Sequence, residues 1–452
     1  MKVSLIYPPG DGEALETDKT SSPFAPPLGL MYIARILSMN DIETSIIDAR
    51  HERIGSAKIK KLLTQSDAIG ISIPSFARKN AEKIIKMIRE IDNDIFIIAG
   101  GPHCTLFPMD AIAAGADAAV RGEGEYAAMH FKDIMDRKVV AGVYRKEGGR
   151  DGIIIENLDE IPFPSHEMVK KYEYGYIAGF KPFKAKFTAM ISSRGCPYKC
   201  KFCSREIFAG RRYRERSVEN VLDEIEFIID EGYNGIIFVD DNFLLNRKRV
   251  MRIMDGIIEM NTEIKIIVEG ARVNVADYEL YKKMWDAGVR VISYGIESGN
   301  QDILDFYNKK ITLEQVKKAV GIANRVGFFT VGSFIIGAPF EDRAKIEKTI
   351  RFATTLPLDF VEFYILEYRV GSQLWNEAVK GGLIDKEQYF VKACKENNLS
   401  LLSMNELNQL RKKAYMRFYL RPSYVMGEML KLAKHGNADL IKAAISMTHK
   451  FI

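Results

Sequence analysis

The sequence predicts an α/β protein in three parts: a doubly wound parallel sheet, a partial (β/α)6 barrel, and a helical C-terminal region. Three observations predict it. Short apolar runs alternate with helix-like segments through most of the chain. The runs are continuous rather than alternating, as strands buried on both faces require. At 452 residues the chain is too long for one ordinary core and fits roughly two or three domains.

The first domain, 1–135, carries five such runs, at 3–7, 44–48, 68–73, 95–99 and 118–121. Ligands of doubly wound sheets sit beyond the carboxyl ends of the strands. One rim is therefore expected to gather Pro8-Pro9, residues 72–75, Gly100-Gly101-Pro102-His103 and Gly122-Glu123-Gly124-Glu125. Over 136–187 the pattern loosens at Gly148-Gly149, Asp151-Gly152 and Pro162-Phe163-Pro164, which reads as a linker packed between domains. Periodicity returns over 188–370, with strands expected at 188–192, 236–239, 266–268, 291–294, 331–336 and 360–366, six units of a partial barrel. Within it, Ser217 caps a helix whose Val218, Leu222, Ile225 and Ile229 form one apolar stripe against the sheet. Thr312-Leu313-Glu314-Gln315 is a capping box opening another helix. Beyond Gly371 strand signals stop, leaving a helical region, 371–452, with a basic and aromatic stretch from Arg411 to Lys434.

Composition narrows the class. Hydrophobic residues make up 47% and charged residues 28%, a globular balance, and no apolar run reaches the ~18 to 20 residues of a membrane span. The opening Met1 to Tyr7 is apolar too briefly for a signal peptide, so the expected location is cytoplasmic. Five cysteines, three of them within eight positions, do not describe a disulfide framework and fit a reducing compartment and metal binding. The net charge of +5 arises from 65 basic and 60 acidic residues, too even a mixture to imply a nucleic-acid partner.

The three clustered cysteines lie in Arg194-Gly195-Cys196-Pro197-Tyr198-Lys199-Cys200-Lys201-Phe202-Cys203, directly after an expected strand. Three thiolates hold a [4Fe–4S] cluster with one iron open to an exogenous ligand. A structural zinc site, the alternative, needs a fourth protein ligand, and no histidine or further cysteine lies near in sequence. The C-x-x-x-C-x-x-C spacing, with Phe202 before the last cysteine, resembles the radical S-adenosylmethionine superfamily signature. The resemblance extends over approximately residues 1–370. It implies that the open iron is chelated by the amino and carboxylate groups of S-adenosylmethionine, whose cleavage gives a 5′-deoxyadenosyl radical. The protein then positions a substrate C–H and excludes water. S-adenosylmethionine contacts are implied at Phe202, at Asp240, Asp241 and Asn242, which depart from the Gly-Gly-Glu form of relatives, and at Glu269, Arg272, Gly295, Glu297, Ser298 and Gly337. For Arg272 the two readings are a two-pronged bond to the cofactor carboxylate and a surface salt bridge. The glycines are also readable as plain turns.

With that motif present, Pro26-Pro27-Leu28-Gly29-Leu30, Gly100 to His103 and Arg121 to Glu125 resemble the cobalamin-binding (class B) subgroup, whose first domain is flavodoxin-like, of Rossmann type. The implied corrinoid contacts are Pro27, Leu28, Gly29, Ser72, Gly100, Gly101, Pro102, His103, Gly122, Glu123, Gly124 and Glu125. The rival reading is turn glycines on an inherited scaffold. A D-x-H-x-x-G motif is missing, since Asp48-Ala49-Arg50-His51 has the wrong spacing, so no protein imidazole is expected on cobalt. His103 either faces the cofactor or is a hydrogen-bonded structural histidine. Cys394 reads as a buried helical thiol, outside the cluster. The leading expectation is methylation of an unactivated carbon. Radical cyclisation or carbon–carbon coupling on a tetrapyrrole or isoprenoid lipid, and a non-catalytic corrinoid or iron–sulfur carrier, are the alternatives. The implied partners are a small-molecule or lipid substrate and a flavodoxin or ferredoxin electron donor in an anaerobic cytoplasm. The basic C-terminal stretch reads as a peripheral membrane contact or a solvated helix face.

Overall fold

The computed structural model describes residues 1–15, 23–177, 179–205, 207, 212–422 and 424–427. Its first sheet is built from β1 (Lys2–Tyr7), β2 (Glu43–Asp48), β3 (Ala68–Ser72), β4 (Phe96–Gly100), β5 (Ala118–Val120), β6 (Val143–Arg145) and β7 (Gly148–Gly149). The order is β2-β1-β3-β4-β5-β6-β7, parallel through β5 and antiparallel beyond it. Strand order reverses between β1 and β3, the switch point at which a cleft opens above a doubly wound sheet. This sheet runs past residue 135. The Gly148-Gly149 turn, expected to lie in a linker, closes a hairpin on the sheet edge. Strands of three and two residues carry no periodicity by which to find them.

The second sheet contains β8 (Phe187–Met190), β11 (Gly235–Phe238), β12 (Lys265–Ala271), β13 (Val289–Glu297), β14 (Phe329–Ile336) and β15 (Phe360–Ile365), all parallel and in that order. This is the six-stranded partial barrel. Between β8 and β11 the short antiparallel pair β9 (Ser193–Arg194) and β10 (Arg214–Glu215) brackets the cysteine loop. The segment after the hairpin closes the barrel floor, where the Phe180 ring packs 6.1 Å from Phe329 and 5.8 Å from Phe360. It is anchored by His166, fully buried, whose Nδ1 lies 2.8 Å from the Thr188 hydroxyl and whose Nε2 lies 3.2 Å from Glu224.

The barrel helices carry the expected caps. Ser217 accepts the Asn220 amide, and Thr312 and Gln315 exchange the two bonds of a capping box. The buried face of helix Val218–Asp230 is Val218, Val221, Ile225 and Ile228. Leu222 and Ile229, expected in the stripe, lie at its flank, where Leu222 covers Gly256 of the neighbouring helix. Neighbouring helices as well as the sheet claim apolar surface here, which turns the stripe by one position.

Strands do not stop at residue 371. After β15, β16 (Glu367–Arg369) pairs antiparallel with β17 (Phe390–Lys392). Cys394 follows as a buried cap of a single 3-10 turn, not in an α-helix. Helix Met404–Tyr419 then lies against β15, and three phenols meet the outer edge of that strand. Tyr419 accepts the Val361 amide at 3.2 Å, Tyr415 accepts the Phe363 amide at 3.0 Å, and Tyr424 donates to the Asp359 carbonyl at 2.8 Å. Of the basic stretch, Lys413 and Arg417 both pair with Glu347, and residues from 428 onward lie outside the described part. Among the described residues no helix is long and apolar enough to cross a membrane.

Candidate active site between the two sheets

The cysteine loop leaves β9 at the carboxyl end of the barrel and is braced from three sides. Asp240, 1% exposed at the end of β11, accepts the Ser192 amide at 3.0 Å and hydroxyl at 2.7 Å, and the Ser193 hydroxyl as well. Its neighbour Asp241 accepts the Gly195 amide at 2.9 Å and pairs with Arg205. Arg249 holds the Ser192 carbonyl at 2.7 Å. From the far side the Lys201 amide donates to the Tyr307 carbonyl at 2.9 Å, and Phe202 packs edge-on against Tyr307 at 5.2 Å. Phe202 is therefore a wedge beneath the loop.

The three thiols are partly exposed. Among the described residues no three histidine, cysteine or acidic side chains converge closely enough to hold one ion. Burial raises the Cys196 and Cys203 thiols, while the Arg272 cation opposes the rise at Cys196. Arg272 stacks 3.5 Å above the Tyr198 ring with Nη1 3.9 Å from Cys200 Sγ, and its Nη2 is held by the Lys309 carbonyl. Asn242 Nδ2 lies 4.0 Å from Cys196 Sγ, while its buried Oδ1 has no partner. The donor set fits a cluster: three thiols, a guanidinium beside one and an amide beside another.

The other residues singled out around the barrel mouth divide by role. Glu297, in a left-handed backbone conformation (φ 68°), is buried and ion-paired at 2.5 Å with Lys309. Gly295 lies under this pair: a Cβ there would stand 2.6 Å from the Glu297 carboxylate and 2.8 Å from the lysine nitrogen, so the ends of both side chains would have to shift. Ser298 lies 3.2 Å from the Thr349 hydroxyl, and the Gly337 amide donates to Glu341 at 2.7 Å. These four brace the mouth. Glu269 projects from β12, bonded to Ser293, and burial with the like charge of Glu362 pushes its carboxyl up to about 7.

A cavity of about 400 Å³ separates the two sheets. Its walls include Leu28, Gly29, Ser72, Gly100, Gly101, Pro102, Gly122, Glu123, Gly124 and Glu125 from the first domain, and Arg194, Val239 and Asp241 from the barrel. A Cβ at Gly29 or at Gly122 would meet nothing within 4 Å, so both glycines widen the cradle. A largely apolar cleft at a switch point, floored by side-chain-free backbone, fits a broad flat corrinoid. Pro27 and His103 are not among its walls. His103 is fully buried, its Nε2 3.0 Å from Asp110, and that carboxylate also accepts the Tyr389 hydroxyl. Asp48 is likewise buried, paired with Arg50 and bonded by Tyr174. Glu123 and Glu125 present their carboxylates to arginines. Arg194 Nη1 lies 3.0 Å from Glu123 and Nη2 bonds Glu125, while Arg214 holds Glu123 at 2.6 Å.

Sequence reasoning passed over Arg194, Arg214 and Lys309. Arg194 adjoins the cysteine motif, which was a usable signal, but Lys309 had none, since only the fold brings it to Glu297.

A mostly parallel first sheet, a fully parallel second one with a three-cysteine loop at its mouth, and a switch-point cleft facing that loop fit an iron–sulfur enzyme coupled to a corrinoid domain. Residues 190–353 match the Radical SAM superfamily and residues 19–132 the B12 binding domain. The chain is 32% identical, over 98% of its length and 97% of the relative's, to an uncharacterized methyltransferase of Pyrococcus horikoshii. It is 27% identical to the anaerobic magnesium-protoporphyrin IX monomethyl ester cyclase of Rubrivivax gelatinosus, over 88% of this chain and 75% of that one. The cobalamin-dependent S-adenosylmethionine radical enzyme OxsB, solved with aqua-cobalamin and S-adenosylmethionine bound, shares the fold with a TM-score of 0.74 at 18% identity, over 98% of this chain and 70% of that one. The chain belongs to the cobalamin-binding radical S-adenosylmethionine family. Its cofactors are those the two domains define: a [4Fe–4S] cluster, S-adenosylmethionine and cobalamin.

Proposed function

We propose that the protein methylates an unactivated carbon of a small-molecule or lipid substrate. One observation carries the reading: the corrinoid cleft and the cysteine loop share a wall, because Arg194 and Asp241 line the cleft and also touch the loop. A methyl donor and a radical source then face one enclosed space, the requirement for joining a methyl group to a substrate carbon. The cluster supplies an electron to cleave S-adenosylmethionine, and cobalamin supplies the methyl group.

This chain's residues contribute position and enclosure. Asp240, Asp241 and Arg249 fix the loop. Arg272 and Asn242 place polar atoms beside two thiolates, and Glu297, Lys309, Gly295, Ser298 and Gly337 set the mouth against which S-adenosylmethionine would lie. Glu269 faces the barrel interior, available to a donor on cofactor or substrate. The low-potential electron would come from a flavodoxin or ferredoxin in a reducing, anaerobic cytoplasm.

A second reading, radical ring closure, is supported by the similarity to the cyclase. With anaerobically reconstituted enzyme loaded with hydroxocobalamin, S-adenosylmethionine carrying a labelled methyl group distinguishes them on candidate substrates. A labelled product formed with two equivalents consumed is expected; an unlabelled product that has lost mass, or in which two carbons of the substrate have been joined, would sink the methylase reading. A carrier without turnover would form no 5′-deoxyadenosine.

A further inference from the structure

We infer that Arg194 is a positioning residue that sets the corrinoid relative to the iron–sulfur cluster, through Glu123 and Glu125. The inference rests on the cobalamin assignment and extends it. Arg194 stands two residues before Cys196, on β9, and its guanidinium reaches out of the barrel domain to the rim of the first sheet. The fork is divided between two carboxylates. Its side chain is 14% exposed, and those of Glu123 and Glu125 are 9% and 7% exposed. A planar, permanently charged fork holds two anchors in fixed relation, which a single-point ammonium does not.

The surroundings bear on position more than on bulk stability. Arg214, paired with Arg194 across β9 and β10, grips both oxygens of Glu123, sharing Oε1 with Arg194 and taking Oε2 at 3.0 Å, and also donates to the Ile155 carbonyl, while Glu123 accepts the Ile155 amide at 3.0 Å. Two cations and two carboxylates balance, so the cleft wall presents no uncompensated charge to a corrin ring. On the other side of Arg194, Gly195 is tied to Asp241 and Ser193 to Asp240. The Arg194 guanidinium also lies 5.5 Å from the ring of Tyr32, another wall of the cleft. Arg194 thus ties the rim carboxylates Glu123 and Glu125 of the first domain directly to the strand that opens into the cysteine loop.

The test uses the full chain with its cluster reconstituted and loaded with hydroxocobalamin, as wild type and as Arg194→Met, Arg194→Lys and Glu125→Gln. Four quantities are read: iron per chain, melting temperature, corrinoid retained after gel filtration, and the electron paramagnetic resonance interaction between the reduced cluster and cob(II)alamin. Arg194→Met is expected to keep its iron, to hold corrinoid about tenfold more weakly because two buried carboxylates lose a partner, and to lose the wild-type spin interaction in the fraction that stays loaded. Arg194→Lys should recover retention but not the spin interaction, and Glu125→Gln should fall between them. Wild-type retention with an unchanged spin interaction in Arg194→Met would overturn the inference. So would loss of iron, melting temperature and corrinoid in parallel in all three variants, which marks a merely structural residue. A wild-type chain that takes up no corrinoid would overturn the cobalamin assignment with it.

Discussion

Cys196→Ala, Cys200→Ala and Cys203→Ala should each reduce iron content and abolish formation of 5′-deoxyadenosine, because two remaining thiolates cannot retain a cubane with a single open iron; iron analysis and chromatography check this. Glu269 gives a prediction of a different kind. Its carboxyl is pushed up to about 7 in the fold from an ordinary 4.5, by burial and by Glu362. The folded state then binds the proton more tightly than the unfolded chain, so this group's contribution to stability falls as pH rises from about 4.5 through 7. Glu269→Gln should therefore raise the melting temperature relative to wild type more at pH 8 than at pH 5. At this scale the cysteines were readable because their spacing is local. The Glu297–Lys309 pair was not, because nothing in the chain between them signals that they meet. Nor does the sequence show that Asp240, in a segment where the family resemblance implies a cofactor contact, also holds Ser192 and Ser193.

Helix ends and strand runs were the most legible elements, since caps and continuous apolar runs are written within a few residues. The capping box at Thr312 and Gln315 stands where the pattern places it. Thr312→Ala should lower stability by about 1 kcal/mol in denaturant titration while leaving cofactor content unchanged. Gly295→Ala would crowd the ends of the Glu297 and Lys309 side chains, which must shift while staying paired: a loss of about 1 kcal/mol is expected by the same titration. Illegible elements were short or antiparallel. The β6–β7 hairpin and β17 have two or three residues each, held by the sheet edges they join rather than by a pattern of their own. The flanking position of Leu222 has a related cause, since a helix touching both a sheet and another helix has two apolar directions.

At the scale of the whole molecule, both domains and their order were present in the alternation of strand and helix. The way they face each other was not, because it depends on charged contacts between residues roughly seventy to ninety positions apart, Glu123 with Arg194 and Arg214. One more feature belongs here. A six-stranded parallel sheet that does not close leaves a bare ladder along β15, and an open ladder invites pairing with another chain. The hydroxyls of Tyr415 and Tyr419 stand where a seventh strand would place its carbonyls, and that of Tyr424 stands where it would place an amide. Side chains thus counterfeit a strand. Replacing Tyr415 and Tyr419 together by phenylalanine keeps the apolar packing but frees two amides, at about 1 to 3 kcal/mol each. The expected result is faster hydrogen exchange at Val361 and Phe363 and concentration-dependent self-association in light scattering. In this protein the remedy for an unfinished barrel is a helix and the residues just beyond it, which imitate with three phenols the backbone it lacks.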